Sequence, residues 1–132
     1  MSRDLPFSME RRVRFHETDA MGVVHHASYL LYLEDARVDL LRSLGRPYST
    51  LRDVDRIEFA VIGLELSYRL PLQFDDVFRV HAGLGEVRRA SFSVVYEVER
   101  DGAPVLTGSS RHAALEVGTH RPVRVPAWLA EG

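Results

Sequence analysis

Between Ala27 and Leu44 the apolar residues Tyr29, Leu33, Ala36, Leu40 and Leu44 recur at spacings of four, three, four and four, which is one face of a helix of about five turns. Leu30, Leu31, Tyr32 and Leu41 fall beside that row, while Glu34, Asp35, Arg37, Asp39 and Arg42 make the polar side. A helix with so broad an apolar surface is expected to be deeply buried, and a curved sheet is the layer able to wrap it. Gly45 and Pro47 stop it in the positions expected after a C-terminus.

The rest of the chain supplies strands. Arg11 to Phe15 alternates polar and apolar residues before polarity and glycine interrupt it from His16 to Gly22. Leu64, Leu66, Tyr68 and Leu70 alternate with polar neighbours, as do Phe78, Val80, Ala82 and Leu84. Phe92, Val94, Tyr96 and Val98 lead to Asp101-Gly102, a dipeptide suited to a tight hairpin, and the chain returns as a meander from Ala103 to Leu115. The expected class is therefore α+β, an antiparallel sheet of about five strands around one long central helix. The 132 residues suit a single domain over 1–132 with no internal repeat. Such a sheet leaves two edges, and pairing one with a second copy makes a homo-oligomer the expectation.

Composition removes several classes of function. A net charge of −2 gives no overall positive field for nucleic acid, and Arg121 to Arg124 is too short a basic run to supply one. The absence of cysteine excludes disulfides, thiolate metal sites and cysteine nucleophiles. No segment approaches the roughly 20 apolar residues of a membrane span, and Met1 to Glu10 lacks a signal-like apolar run, so the cytoplasm is the expected compartment.

Chemistry concentrates in Phe15 to Tyr29, which places acids, a glycine and two histidines between a strand and the helix. A helix start offers unpaired N–H groups and about half a positive charge, enough to polarise a carbonyl, and His26 and Ala27 would supply the amides. Asp19, just upstream, could attack an acyl carbon or deprotonate a water, or it could simply hydrogen-bond loop amides. His16, Glu17, Asp19, His25 and His26 could also be read as metal ligands, but there is no H-E-x-x-H spacing, and adjacent His25 and His26 are expected to point apart. Glu34 either pairs with Arg37 or is buried and orients the loop. Asp75, Asp76, His81 and His112 read as turn or strand-surface residues with no chemistry.

Thr18-Asp19-Ala20-Met21-Gly22-Val23-Val24-His25-His26-Ala27-Ser28-Tyr29 resembles the T-D-x-x-G-V-V-[YH]-H-x-x-Y signature of the 4-hydroxybenzoyl-CoA thioesterase-like hotdog family. Tyr32-Leu33-Glu34-Asp35-Ala36-Arg37 is similar to the helix of its Tol-Pal-associated acyl-CoA thioesterase branch. The resemblance implies a hotdog fold and hydrolysis of an acyl-CoA thioester to free acid and CoA. It also implies a homodimer or a dimer of dimers with the active site at the subunit interface, and no cofactor or metal. By position, Asp19 matches the catalytic Asp, the His26 N–H matches the oxyanion donor, and Gly22 matches the glycine of the turn. Val24, His25 and Tyr29 fall beside the substrate, and Tyr29, Phe59, Val61 and Tyr68 are the expected acyl-pocket residues. Arg88-Arg89-Ala90-Ser91-Phe92 is similar to the family's R-R-x-S-[FL] segment, whose arginines meet CoA phosphates, so Arg88, Arg89 and Ser91 are candidate CoA contacts, with a solvated turn as the alternative. Residue identity does not separate a nucleophilic Asp19 from a general base. A short or medium aliphatic acyl group is the first expectation and an aromatic one the second. A non-catalytic acyl-CoA or protein-binding module and a hydratase or dehydratase are the rival readings, although the H-x-x-G-x-P approach of dehydrating relatives is missing.

Overall fold

The computed structural model describes residues 5–45 and 48–131. Along the chain run β1 (Phe7–Arg12), a 3-10 turn (Phe15–Glu17), α1 (Ser28–Leu44), α2 (Tyr48–Asp53), β2 (Ile57–Tyr68), β3 (Val77–Val87), β4 (Ser91–Arg100), β5 (Ala103–Glu116) and α3 (Ala127–Glu131). The strands form one antiparallel sheet in the order β1-β3-β4-β5-β2. It curls about α1, which buries Tyr29, Tyr32, Leu33, Ala36, Leu40 and Leu41 against inward residues such as Phe78, Val80, Phe92 and Val94. Each of these large apolar side chains contributes about 1.5–3 kcal/mol by leaving water, so the helix and sheet stabilise each other. This is the hotdog fold.

Several local expectations are corrected. The first strand is Phe7–Arg12, not Arg11 to Phe15, because its partner β3 runs only from Val77. Beyond that pairing the Val13 N–H donates to the Asp76 carbonyl at 2.9 Å, and the chain bends into the 3-10 turn with Phe15 exposed. β2 begins at Ile57, well before Leu64, and ends at Tyr68, after which the Arg69 and Leu70 N–H groups converge on the Val105 carbonyl. It also pairs with β5 rather than with its successor β3, so only β3, β4 and β5 form the meander. The β4–β5 hairpin turns at Asp101 and Gly102, both with positive φ, as the dipeptide requires.

Burial of α1 is less complete than its breadth implies, since Leu30 and Leu31 are 39% and 59% exposed. They are accompanied by Val61, Ile62 and Leu64 of β2, an edge strand whose far side has no partner among the described residues. The helix closes at Gly45, whose N–H donates to the Leu41 carbonyl. Pro47, the second expected stop, lies outside the described residues, as do Met1 to Asp4. No helix among the described residues is long and apolar enough to cross a membrane.

Candidate active site

The segment from Thr18 to Val24 folds as a miniature hairpin. Thr18 bridges Val24, the Asp19 N–H donates to the Val23 carbonyl at 2.9 Å, and the Gly22 N–H donates back to the Asp19 carbonyl at 3.0 Å. Gly22 completes the turn with φ of +81°, a conformation open to glycine and strained for other residues. Asp19 sits exposed at the entrance of this turn, and its Oδ1 accepts the Met21 N–H at 2.8 Å. The second carboxylate oxygen has no hydrogen-bond partner among the described residues.

Two contacts fasten the end of the hairpin, one to the 3-10 turn and one to the segment after β2. The His25 N–H donates to the Glu17 carbonyl at 2.9 Å, and the Val24 N–H donates to the Leu72 carbonyl at 2.7 Å. The His25 and His26 rings do not point apart but stack, with centroids 4.3 Å apart. The local backbone turns toward the helix there, and His25 Nδ1 accepts the Ala27 N–H at 3.1 Å. The His26 N–H donates to no acceptor among the described residues and stands free at the positive end of α1. A carboxylate oxygen and a helix-start amide, each without a hydrogen-bond partner among the described residues, therefore stand at the two ends of one short loop. That pairing can stabilise negative charge on a carbonyl oxygen while its carbon is attacked.

Other expected residues are placed differently. Val24 and Tyr29 are buried, and Tyr29 accepts the Leu72 N–H on its hydroxyl at 3.1 Å, an anchoring role on the inner side of the loop. The Tyr68 hydroxyl donates to the His26 carbonyl at 3.3 Å, which brings the end of β2 to the helix start. Glu34 is not buried against the loop; it is largely exposed, 3.8 Å from Arg37. The acid that orients the loop is Glu17, whose Oε1 accepts the Tyr32 hydroxyl and the Arg14 N–H. Burial, helped by that bond, pushes the Tyr32 phenol well above its ordinary range, so it remains a donor.

Arg88, Arg89 and Ser91 lie at the β3–β4 turn, with Arg88 exposed and bonded to Glu86 at 2.6 Å. That turn is at the end of β4 opposite Arg100, whereas Arg100 and Asp76 clamp the end beside the Asp19 loop at 2.9 Å. The ten-residue strand between them spans about 30 Å, so one chain does not bring the arginines to its own Asp19.

Two cavities follow α1 on the β2 side. One of about 200 Å³ meets Leu30, Leu33, Leu64 and Ser110, and a deeper one of about 340 Å³ meets Leu41, Phe59, Phe92 and His112; Glu34, Arg37 and Val61 border both. Neither reaches Asp19 itself. His112, read from the sequence as a surface or turn residue, is 1% exposed, because β5 turns Leu106, Ser110, His112 and Ala114 toward the helix. No group of three or more potential metal-ligating side chains stands together among the described residues.

The model of the thioesterase-like superfamily matches residues 13–132. The acyl-CoA thioesterase YbgC of Haemophilus influenzae is 32% identical over 123 residues, covering 93% of this chain and 90% of its own. A 1,4-dihydroxy-2-naphthoyl-CoA hydrolase of Synechococcus elongatus is 27% identical over 128 residues, covering 93% and 94%. The crystal structure of a hypothetical protein from Aquifex aeolicus superposes with a TM-score of 0.88 at 39% identity, covering 96% of this chain and 98% of that one.

Proposed function

The chain belongs to the thioesterase-like superfamily, and from that premise we propose that it is an acyl-CoA thioesterase in which Asp19 and the His26 amide work on the thioester carbonyl. The carrying observation is that the Asp19 loop, which leaves one carboxylate oxygen without a partner among the described residues, leads directly into a helix start whose His26 N–H also has none among them. The thioester oxygen accepts the His26 N–H, where the helix dipole favours the negative charge that develops. The unbonded oxygen of Asp19 then attacks the acyl carbon. The carbon–sulfur bond breaks, CoA leaves as its thiolate, and water cleaves the acyl-aspartyl anhydride to the free acid and the original carboxylate. In the alternative sequence the same oxygen takes a proton from the attacking water. A rapid acid quench during turnover followed by mass spectrometry of the protein distinguishes the two, because only the anhydride path adds the mass of the acyl group to Asp19.

The proposal includes a second subunit and a cytoplasmic location. Phe15, Met21 and Phe74 are 75%, 86% and 52% exposed around the Asp19 loop, an apolar rim that suits cover by substrate and partner. The unpaired β2 edge offers backbone donors and acceptors to a second copy, in a dimer or a dimer of dimers. In such an assembly Arg88, Arg89 and Ser91 serve the CoA phosphates of a neighbouring site. The apolar cavities along α1 support a medium aliphatic acyl group more than a very short one.

Thiol release from a panel of aliphatic and aromatic acyl-CoAs tests this reading, run beside Asp19→Asn. Hydrolysis by the native protein and a fall of about 10²- to 10⁴-fold in the variant are expected. Undiminished turnover by a folded Asp19→Asn protein removes the mechanism, and tight acyl-CoA binding without any turnover replaces the enzyme with a binding module.

A further inference from the structure

β2 runs back along α1 from the site. Tyr68 touches His26, Leu64 and Leu30 border the nearer cavity, Val61 stands with Glu34 and Arg37 at both, and Phe59 reaches the deeper one with Leu41. Leu30, Glu34, Arg37 and Leu41 fall on one stripe of the helix, so the two cavities, which share Glu34, Arg37 and Val61, follow one another along α1 away from its N-terminus. Three polar side chains, all at most 1% exposed, are joined in a line from one cavity to the other, with Tyr96 and Ser110 at the nearer and His112 at the deeper. The Tyr96 hydroxyl is 2.6 Å from the Ser110 hydroxyl, which is 2.7 Å from His112 Nε2.

The direction of these bonds follows from counting donors. Ser110 is the only hydrogen-bond partner of the Tyr96 hydroxyl among the described residues, so a Tyr96 proton pointing elsewhere would be an orphan inside the core. Tyr96 therefore donates to Ser110, and Ser110 donates to His112 Nε2. The imidazole is neutral in this apolar setting, so its remaining proton is on Nδ1. That nitrogen has no protein acceptor among the described residues, and His112 borders the deeper cavity. The ring is fixed by stacking on Phe92 at 5.1 Å. Arg37 and Glu34, 3.8 Å apart, border the same space, and the comparison with His112→Phe below separates their contribution from that of the imidazole. The far cavity thus presents a fixed N–H with no protein acceptor among the described residues.

Building on the thioesterase reading, we propose that the deeper cavity receives the far part of an acyl chain carrying an uncharged acceptor oxygen, keto or hydroxyl, which accepts the His112 Nδ1 proton. His112 is then a specificity-determining residue. It selects chains oxygenated remote from the thioester over plain hydrocarbon chains, because a hydrocarbon filling the cavity takes water away from this donor without replacing its hydrogen bond.

The experiment compares dodecanoyl-CoA with a series of oxododecanoyl-CoAs whose keto group is moved along the outer half of the chain, using the native protein and His112→Phe. Binding of the corresponding free acids is followed by calorimetry. One keto position should exceed dodecanoyl-CoA by about tenfold in kcat/KM, the size of one buried hydrogen bond, and that ratio should fall to about one in His112→Phe. The ratio is internal to each protein, so partial misfolding does not imitate the result. Nitrogen-15 NMR of the native protein should show His112 protonated at Nδ1 and bare at Nε2. Equal turnover of all chains, a preference that survives His112→Phe, or the opposite tautomer overturns the proposal while leaving the hydrolase intact. A free-acid binding preference that depends on His112, without turnover of any thioester, keeps the proposal and removes the hydrolase. Neither preference nor turnover removes both.

Discussion

The Tyr32 hydroxyl lies 2.7 Å from Glu17 Oε1 and so ties the first helical turns to the loop that carries Asp19. The same oxygen accepts the Arg14 N–H at 2.8 Å, so one carboxylate joins the strand exit, the 3-10 turn and the helix. Tyr32→Phe removes one of these bonds and leaves the carboxylate partly satisfied. A loss of about 1–2 kcal/mol in urea unfolding is expected, with kcat reduced more than KM is raised. A change confined to KM would show that this contact does not position Asp19.

Gly22 has a positive φ and open space where a Cβ would stand. Gly22→Ala should therefore suffer from backbone strain alone, by about 1–2 kcal/mol. Gly22→Asn, which tolerates the left-handed region, should recover part of the loss. Paired melting curves and thiol-release rates report this, and equal stability of the alanine and asparagine variants would falsify the strain argument.

Burial, with the Arg37 charge adding to it, lowers His112 to about 4 from an ordinary 6.5. The unfolded chain takes up its proton near pH 6.5 and the folded protein only near pH 4, so between these values the unfolded state binds more protons. The contribution is full above about pH 6.5, declines as pH falls, and is level below about 4. Against His112→Phe, the native protein should lose about 2–3 kcal/mol of relative stability between pH 7 and pH 4.5. Parallel pH slopes for the two proteins in urea titrations would contradict it.

Ile62, 54% exposed on the unpaired edge, should sit inside any β2-mediated contact between copies. Ile62→Asp should lower the mass measured by light scattering to that of one chain and depress thioester hydrolysis with it. An unchanged mass would move the contact away from β2.

The helix and the hairpin at Asp101-Gly102 were legible because periodicity and turn chemistry are local signals. The ends of β1 were not, because Phe7–Arg12 is held by pairing with β3 rather than by an alternating buried face. His112 was misjudged because Ser109, Ser110, Arg111 and His112 put polar groups on both faces of β5, so hydropathy carries no phase there. Pairing of Phe92 with His112 and of Val94 with Ser110 sets that phase. Asp19, Gly22 and His26 were singled out by the motif they share with the family they resemble, whereas Glu17 drew its meaning from Tyr32, fifteen positions away.

The antiparallel course of β2 beside α1 makes the groove a graduated scale. A strand advances about 3.3 Å per residue and a helix about 1.5 Å, so in the proposed binding mode Leu64, Val61 and Phe59 mark successive depths measured from the thioester. Enlarging each in turn should shorten the longest chain accepted in steps, earliest at Leu64 and last at Phe59. Chain length can then be reset at the far marks without touching the reacting end.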